Sequence, residues 1–180
     1  MLTSEERSGL IDRLETSRKR LFQATEGLVP VQWAFRANPE SWTVAEVVEH
    51  LCNSEEVVLG RIENQIRTEA PTPDRRTETE GKESLLFKAV PNRTGRAKAP
   101  EEMAPRQRFS DGPAALAGFL DARERTVAFV AATQAPLRDY IHRHFALGRL
   151  NGYQWLILLA LHAERHAAQI GAIRRAAGFP

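Results

Sequence analysis

The chain has 180 residues, 42% hydrophobic and 27% charged, a globular composition long enough to bury a core without disulfides or structural metals. Its 25 Lys and Arg against 23 Asp and Glu give a net charge of +2 with the signs interspersed, so no basic block tracks phosphates and nucleic-acid binding is not expected. The single cysteine, Cys52, excludes an internal disulfide, and Met1–Arg7 lacks the basic-then-apolar layout of a secretion signal, so a cytoplasmic protein is expected.

The first predicted helix opens on a capping box, Thr3-Ser4-Glu5-Glu6. Leu10, Leu14, Leu21 and Leu28 follow as one apolar stripe, and Gly27 and Pro30 close it. A connector from Pro30 to Trp42 carries Trp33, Phe35 and Trp42, aromatics expected to lid the core. A second capping box, Thr43-Val44-Ala45-Glu46, opens a helix that runs to about Arg67, with Val44, Val47, Val48, Leu51, Val58 and Ile62 inward.

From Glu69 to Phe109 prolines and charges dominate, with an apolar island at Leu85, Leu86, Phe87 and Val90. This stretch is read as an irregular excursion, residues 69–109, partly ordered where the island packs, within one domain spanning 1–180. The third helix starts near Ser110-Asp111-Gly112-Pro113, with Leu116, Phe119, Leu120, Val127 and Val130 as its stripe. A segment from Tyr140 to Leu150 carries His142 and His144. The fourth helix opens at Asn151-Gly152-Tyr153-Gln154 and is expected to run to Gly178. Its apolar run, Trp155–Leu161, is too short to span a bilayer. Four long helices without a convincing alternating strand predict an all-α four-helix bundle, with the long excursion between helices two and three.

His162 and His166 stand four apart on the fourth helix, so their rings share one face. That face is the apolar stripe of Trp155, Leu159, Ile170 and Ile173. Two inward imidazoles need partners for four ring nitrogens, and a shared metal ion is the economical answer. His50, beside Val47 and Leu51 on the second helix, is the third candidate, because facing helices of a bundle complete each other's sites. A hydrogen-bonded packing histidine is the competing reading for each ring taken alone. Three neutral imidazoles suit zinc, nickel, iron or copper and leave a coordination position open. His142 is expected at the surface, and His144 either at the surface or at the mouth of a pocket.

A zinc-peptidase reading fails. In H-E-x-x-H the residue after the first histidine is the general base, and here that residue is Ala163. Glu164 is turned about 200° from His162 on an ideal helix. Glu164 and Arg165 are expected in solvent or at a subunit contact. Cys52, two residues after His50, is expected to be a small buried hydrophobe. Glu49 and Asn53 are near His50, but neither has the spacing of a general base.

Two phrases together resemble the DinB-like (DinB/YfiT-like) superfamily. Ser41-Trp42-Thr43-Val44-Ala45-Glu46-Val47-Val48-Glu49-His50-Leu51 looks like its second-helix signature. His162-Ala163-Glu164-Arg165-His166-Ala167-Ala168-Gln169-Ile170 looks like its C-terminal helix signature, and the ending Arg174–Pro180 is also typical. The resemblance covers nearly the whole chain, Phe87 to Arg108 being the least characteristic part. It implies a four-helix bundle, a metal bound by three histidines at the positions of His50, His162 and His166, and a homodimer. Members of the superfamily include thiol-dependent enzymes, bacillithiol S-transferases and a mycothiol-dependent maleylpyruvate isomerase, and many others with no known activity. The isomerase-like members carry a carboxylate at one ligand position of the last helix. Here both positions are histidine, which leans toward the transferase-like and uncharacterised branches.

Three functions follow as expectations. The first is a metalloenzyme whose divalent ion (zinc, nickel or iron) holds a low-molecular-weight thiol as thiolate against a small electrophilic substrate. A variant replaces the thiol with water and gives a hydrolase, for which no base can be named. The second is a non-catalytic metal- or ligand-binding stress-response module. The third, DNA contact, is disfavoured by the balanced charge.

Overall fold

The computed structural model describes residues 1–92 and 98–180. Four long helices form the bundle: α1 (Ser4–Thr25), α3 (Val44–Thr68), α5 (Gly112–Ala132) and α6 (Gly152–Ile173). Two short helices lie between them, α2 (Pro30–Trp33) and α4 (Lys82–Ala89). In the ring of helices α3 packs on α5 and α6, and α1 on α6 and α5.

Each long helix starts where local chemistry dictates. Glu6 N donates to Thr3 Oγ1 (3.1 Å) and Thr3 N to Glu6 Oε2 (2.8 Å), closing the first capping box. Thr43 with Glu46 and Asn151 with Gln154 repeat that exchange at α3 and α6. Asp111 caps α5 by accepting from Ala114 N (2.8 Å). Each such cap contributes about 1 kcal/mol, enough to fix a boundary within an apolar stripe that would tolerate several.

The interior holds two apolar clusters. One gathers Leu10, Leu14, Val58, Ile62 and the start of α6; the other gathers Leu21, Val47, Val48, Leu51, Phe119 and Ile170. Between them lies a buried ionic layer. Arg123 (0% exposed) pairs with Glu55 (2% exposed) and donates to Leu14 O, Ser17 Oγ and Leu159 O. Thr126 Oγ1 donates to Glu55 Oε2 (2.7 Å). This layer ties all four long helices into one register.

The elements differ from the sequence expectation in several places. The inward stripe of α5 is Ala115, Phe119, Ala122, Arg123, Thr126 and Val130, with Leu116, Leu120 and Val127 only partly buried at its edge. The helix is thereby rotated toward its small residues, which lets α3 approach closely. The aromatic connector contains α2, and its Trp33 lids the second cluster as expected. Trp33 lies so near Gly112 that a Cβ there would sit 2.2 Å from the indole. The α6 helix ends at Ile173, five residues short of Gly178. Ile141–His144 and Gly148–Asn151 form an antiparallel hairpin, β1 and β2, where no strand was expected. The excursion carries α4 and 3-10 turns at Pro73–Thr79 and Glu101–Met103. Leu86 and Val90 of its apolar island are buried, while Leu85 and Phe87 stay exposed. Residues 93–97 of that stretch lie outside the described residues. Among the described residues no helix is long and apolar enough to cross a membrane.

Candidate metal centre

The helices α3 and α6 pack against each other, and His50 meets His162 and His166 across that contact. His162 Nε2 lies 3.2 Å from His50 Nε2 and 3.0 Å from His166 Nε2. The three donor atoms all fall within 4.8 Å of one another. His50 and His166 are buried, and His162 keeps partial access to solvent. Among the described residues no other group of three His, Cys, Asp or Glu side chains converges in this way.

The outer ring nitrogens decide what the inner ones can do. His50 Nδ1 lies 2.8 Å from the Met103 carbonyl, which only accepts, so Nδ1 carries the proton and Nε2 the lone pair. His166 Nδ1 lies 2.8 Å from Gln169 Oε1 and is likewise the donor. Two lone pairs therefore face His162 Nε2, and a neutral imidazole there has one proton at most to offer. The protein alone leaves at least one of these two lone pairs without a proton to accept. A cation removes the conflict. Metal–nitrogen bonds of about 2.0–2.1 Å put tetrahedral donors about 3.3 Å apart, close to the 3.2 and 3.0 Å that separate His162 Nε2 from the other two. Imidazoles oriented by carbonyl groups on their far nitrogens are the usual form of a histidine metal site.

Burial keeps the His50 and His162 rings neutral and able to donate lone pairs. It holds His162 well below the usual imidazole range, with the neighbouring His166 and His50 adding to the effect. Burial also lowers His50, against the opposing pull of the Met103 hydrogen bond.

The end of the excursion builds the far side of the site. Glu49, adjacent to His50 and buried, accepts from the backbone amides of Arg106 (2.6 Å) and Arg108 (3.2 Å). Asn53 Nδ2 donates to the Ala104 carbonyl (3.1 Å), and Arg61 pairs with Glu102. These tethers lay Met103 over α3 so that its carbonyl meets His50. Trp42 covers the other side, its ring 4.8 Å from the His50 ring. Met103, Gln169 and Trp42 were missed as site residues in the sequence, and Glu49 was weighed there only as a general base. Of the three missed, Gln169, one turn after His166, stood at a spacing that could have flagged it.

Other expectations are settled by the same contacts. Cys52 is buried on a different side of α3, and burial, then the Glu56 charge, pushes its thiol up to about 11. Glu164 pairs with Arg20 (3.1 Å), and Arg165 donates to the Val90 carbonyl (3.1 Å), so both are engaged within the chain. His142 is partly buried with Nε2 unpartnered, not a surface residue, because β1 folds it inward. His144 is partly buried and lies against Trp155.

The sequence model of the DinB superfamily matches residues 13–170. No curated protein matches the sequence. Among solved structures, YfiT from Bacillus subtilis is similar, with a TM-score of 0.65 and 19% identity over 100% of this chain and 92% of that one. YfiT is described as a probable metal-dependent hydrolase with an unusual four-helix bundle topology. At that identity the likeness shows the fold.

Proposed function

This chain belongs to the DinB superfamily, and on that premise we propose that it is a metal-dependent enzyme that activates a small thiol against an electrophilic substrate. His50, His162 and His166 are the protein ligands. The observation that carries the reading is the convergence of three Nε2 atoms, two of them held as lone-pair donors by Met103 and Gln169. Three protein ligands leave a divalent ion one position at which it lowers the pKa of a bound nucleophile.

The chain's own residues favour a thiol. Among the described residues no carboxylate is hydrogen-bonded to the three rings, and the nearby Glu49 spends its Oε1 on two backbone amides. Water activation benefits from such a base, whereas a thiolate is already a strong nucleophile. Cys52, buried and held protonated, is not the source of the thiol, so the sulfur comes from a diffusible cofactor. Partial exposure of His162 supplies the route in. A homodimer in the cytoplasm completes the proposal.

A hydrolase is the second reading, favoured by the description of the similar YfiT structure. Protein loaded separately with zinc, nickel or iron(II) is offered an electrophilic aryl halide with a panel of low-molecular-weight thiols, and ester and amide substrates without thiol. Thiol-dependent turnover that vanishes in His162→Ala supports the transferase. Turnover of esters or amides alone supports the hydrolase. No turnover in either arm by metal-loaded protein refutes both and leaves a metal-binding module.

A further inference from the structure

The metal centre does not use His144 or Trp155, yet both carry ring N–H groups without an acceptor among the described residues, Trp155 two turns of α6 before His162. The amides of Ala146 (3.1 Å) and Leu147 (3.0 Å) both donate to His144 Nδ1. Nδ1 therefore carries the lone pair, and the proton of the neutral ring sits on Nε2. The hairpin turn fixes this tautomer. Phe145 stacks on the ring at 4.5 Å, and no acceptor in the described residues meets Nε2–H. Burial alone lowers His144 to about 4, so the ring stays neutral and the single proton stays on Nε2.

Trp155 lies beside it, with ring centroids 5.2 Å apart. Trp155 is 5% exposed, and its Nε1 is buried with no partner. A buried indole N–H ordinarily finds an acceptor, because leaving it without one is costly. Trp155 precedes His162 by seven residues, two turns along one face of α6. His144 is near enough to act electrostatically on the His162 ring. Strand alternation puts His142 on the same face of β1, and its Nε2 is also buried and unpartnered.

We propose that His144 Nε2–H and Trp155 Nε1–H form a paired-donor subsite that receives the carbonyl oxygen of a neutral substrate, two turns of α6 from the metal centre. A carbonyl oxygen has two lone pairs and accepts two donors. Among the described residues no charged side chain acts on His144 beside the effect of burial, so a carboxylate placed here would lack a side-chain counter-ion. The subsite deepens the preceding proposal by naming the electrophile as a carbonyl compound, and rests on it only in placing that compound beside the ion.

The test is nitrogen-15 NMR on the full chain, metal-free and zinc-loaded, titrated with benzamide and, separately, with toluene as the apolar shape. The Trp155 indole peak, assigned by its loss in Trp155→Phe, moves with benzamide and not with toluene. Trp155→Phe keeps an aromatic ring and weakens benzamide binding about three- to tenfold. His144 nitrogen shifts show protonated Nε2 and bare Nδ1 from pH 6 to 8. An indole peak that ignores benzamide, as it would if a trapped water already held it, overturns the proposal. So does Trp155→Phe binding benzamide as tightly as wild type, or His144 protonated at Nδ1. If the protein holds no zinc but benzamide still moves the indole peak, the subsite stands and the metal reading falls.

Discussion

Replacing His162 by alanine separates a metal centre from three packed histidines. In the metal-free protein His162 Nε2 sits 3.0 and 3.2 Å from two nitrogens that are both acceptors. Its ring satisfies one of them at most, and it is partly exposed. Removing it therefore costs the metal-free protein little, within about 1 kcal/mol, the range of substitutions that break no satisfied network. The metal-bound state responds differently. A divalent ion at one hundred times its Kd stabilises the native state by about 2.7 kcal/mol. For a domain of this length each kcal/mol moves Tm by about 2–4 °C, so a saturating ion raises it by about 5–10 °C. Thermal unfolding followed by circular dichroism, with zinc, nickel or iron(II) in excess and with chelator, gives both numbers. His162→Ala should keep the chelated Tm and lose the metal-induced rise. An equal rise in the variant, or no rise in wild type with any of the three ions, refutes the three-histidine ligand set.

Three further outcomes follow from the same contacts. Gln169→Leu removes the acceptor that orients His166 and should weaken metal binding about 10- to 100-fold, read by competition with a chromogenic chelator; unchanged affinity would show that Gln169 does not hold the ring. Glu55→Gln strands the Arg123 guanidinium in the core and should lower stability by about 3–5 kcal/mol in urea unfolding, against less than 1 if the pair is dispensable. The metal-free protein should lose stability as pH falls below about 6.5, the ordinary imidazole value. His50, His142, His144 and His162 are all held below that value when folded, His144 at about 4, so the unfolded chain binds more protons in this window and acid favours it. A urea midpoint that stays flat from pH 7 to 4.5 contradicts this assignment.

How much of this was legible in the sequence depends on how local each cause is. The capping boxes of α1, α3 and α6 operate over three residues, and each stands at its predicted place. The His162 and His166 pair is equally local, since helical pitch alone stacks residues four apart. The hairpin escaped because its strands have four residues each and no apolar alternation. Its signals were the left-handed Gly148 (φ 73°) and the two-residue spacing of His142 and His144. Arg123 escaped for a different reason. It stands four residues after Phe119 on an apolar face, a position that reads as an error until Glu55, 68 residues earlier, is seen to lie against it. A charge on a buried stripe announces a partner without saying which residue it is.

The candidate metal centre combines both kinds of cause, and this explains why part of it was harder to read. His162 and His166 converge through the pitch of α6 itself. His50 is aimed by something the periodicity of α3 does not contain, the Met103 carbonyl of the excursion. That carbonyl is in place because Glu49 and Asn53 hold the strand of chain from Ala104 to Arg108 against α3. The irregular, proline-rich stretch is thus part of the site: it sets which nitrogen of His50 is protonated, and so which one faces His162. A bundle with the same three histidines and a shortened excursion would keep His50 near the pair on α6 while losing the constraint on its tautomer. Its rings would then pair by sharing protons, with the lone pairs no longer forced to converge on a cation.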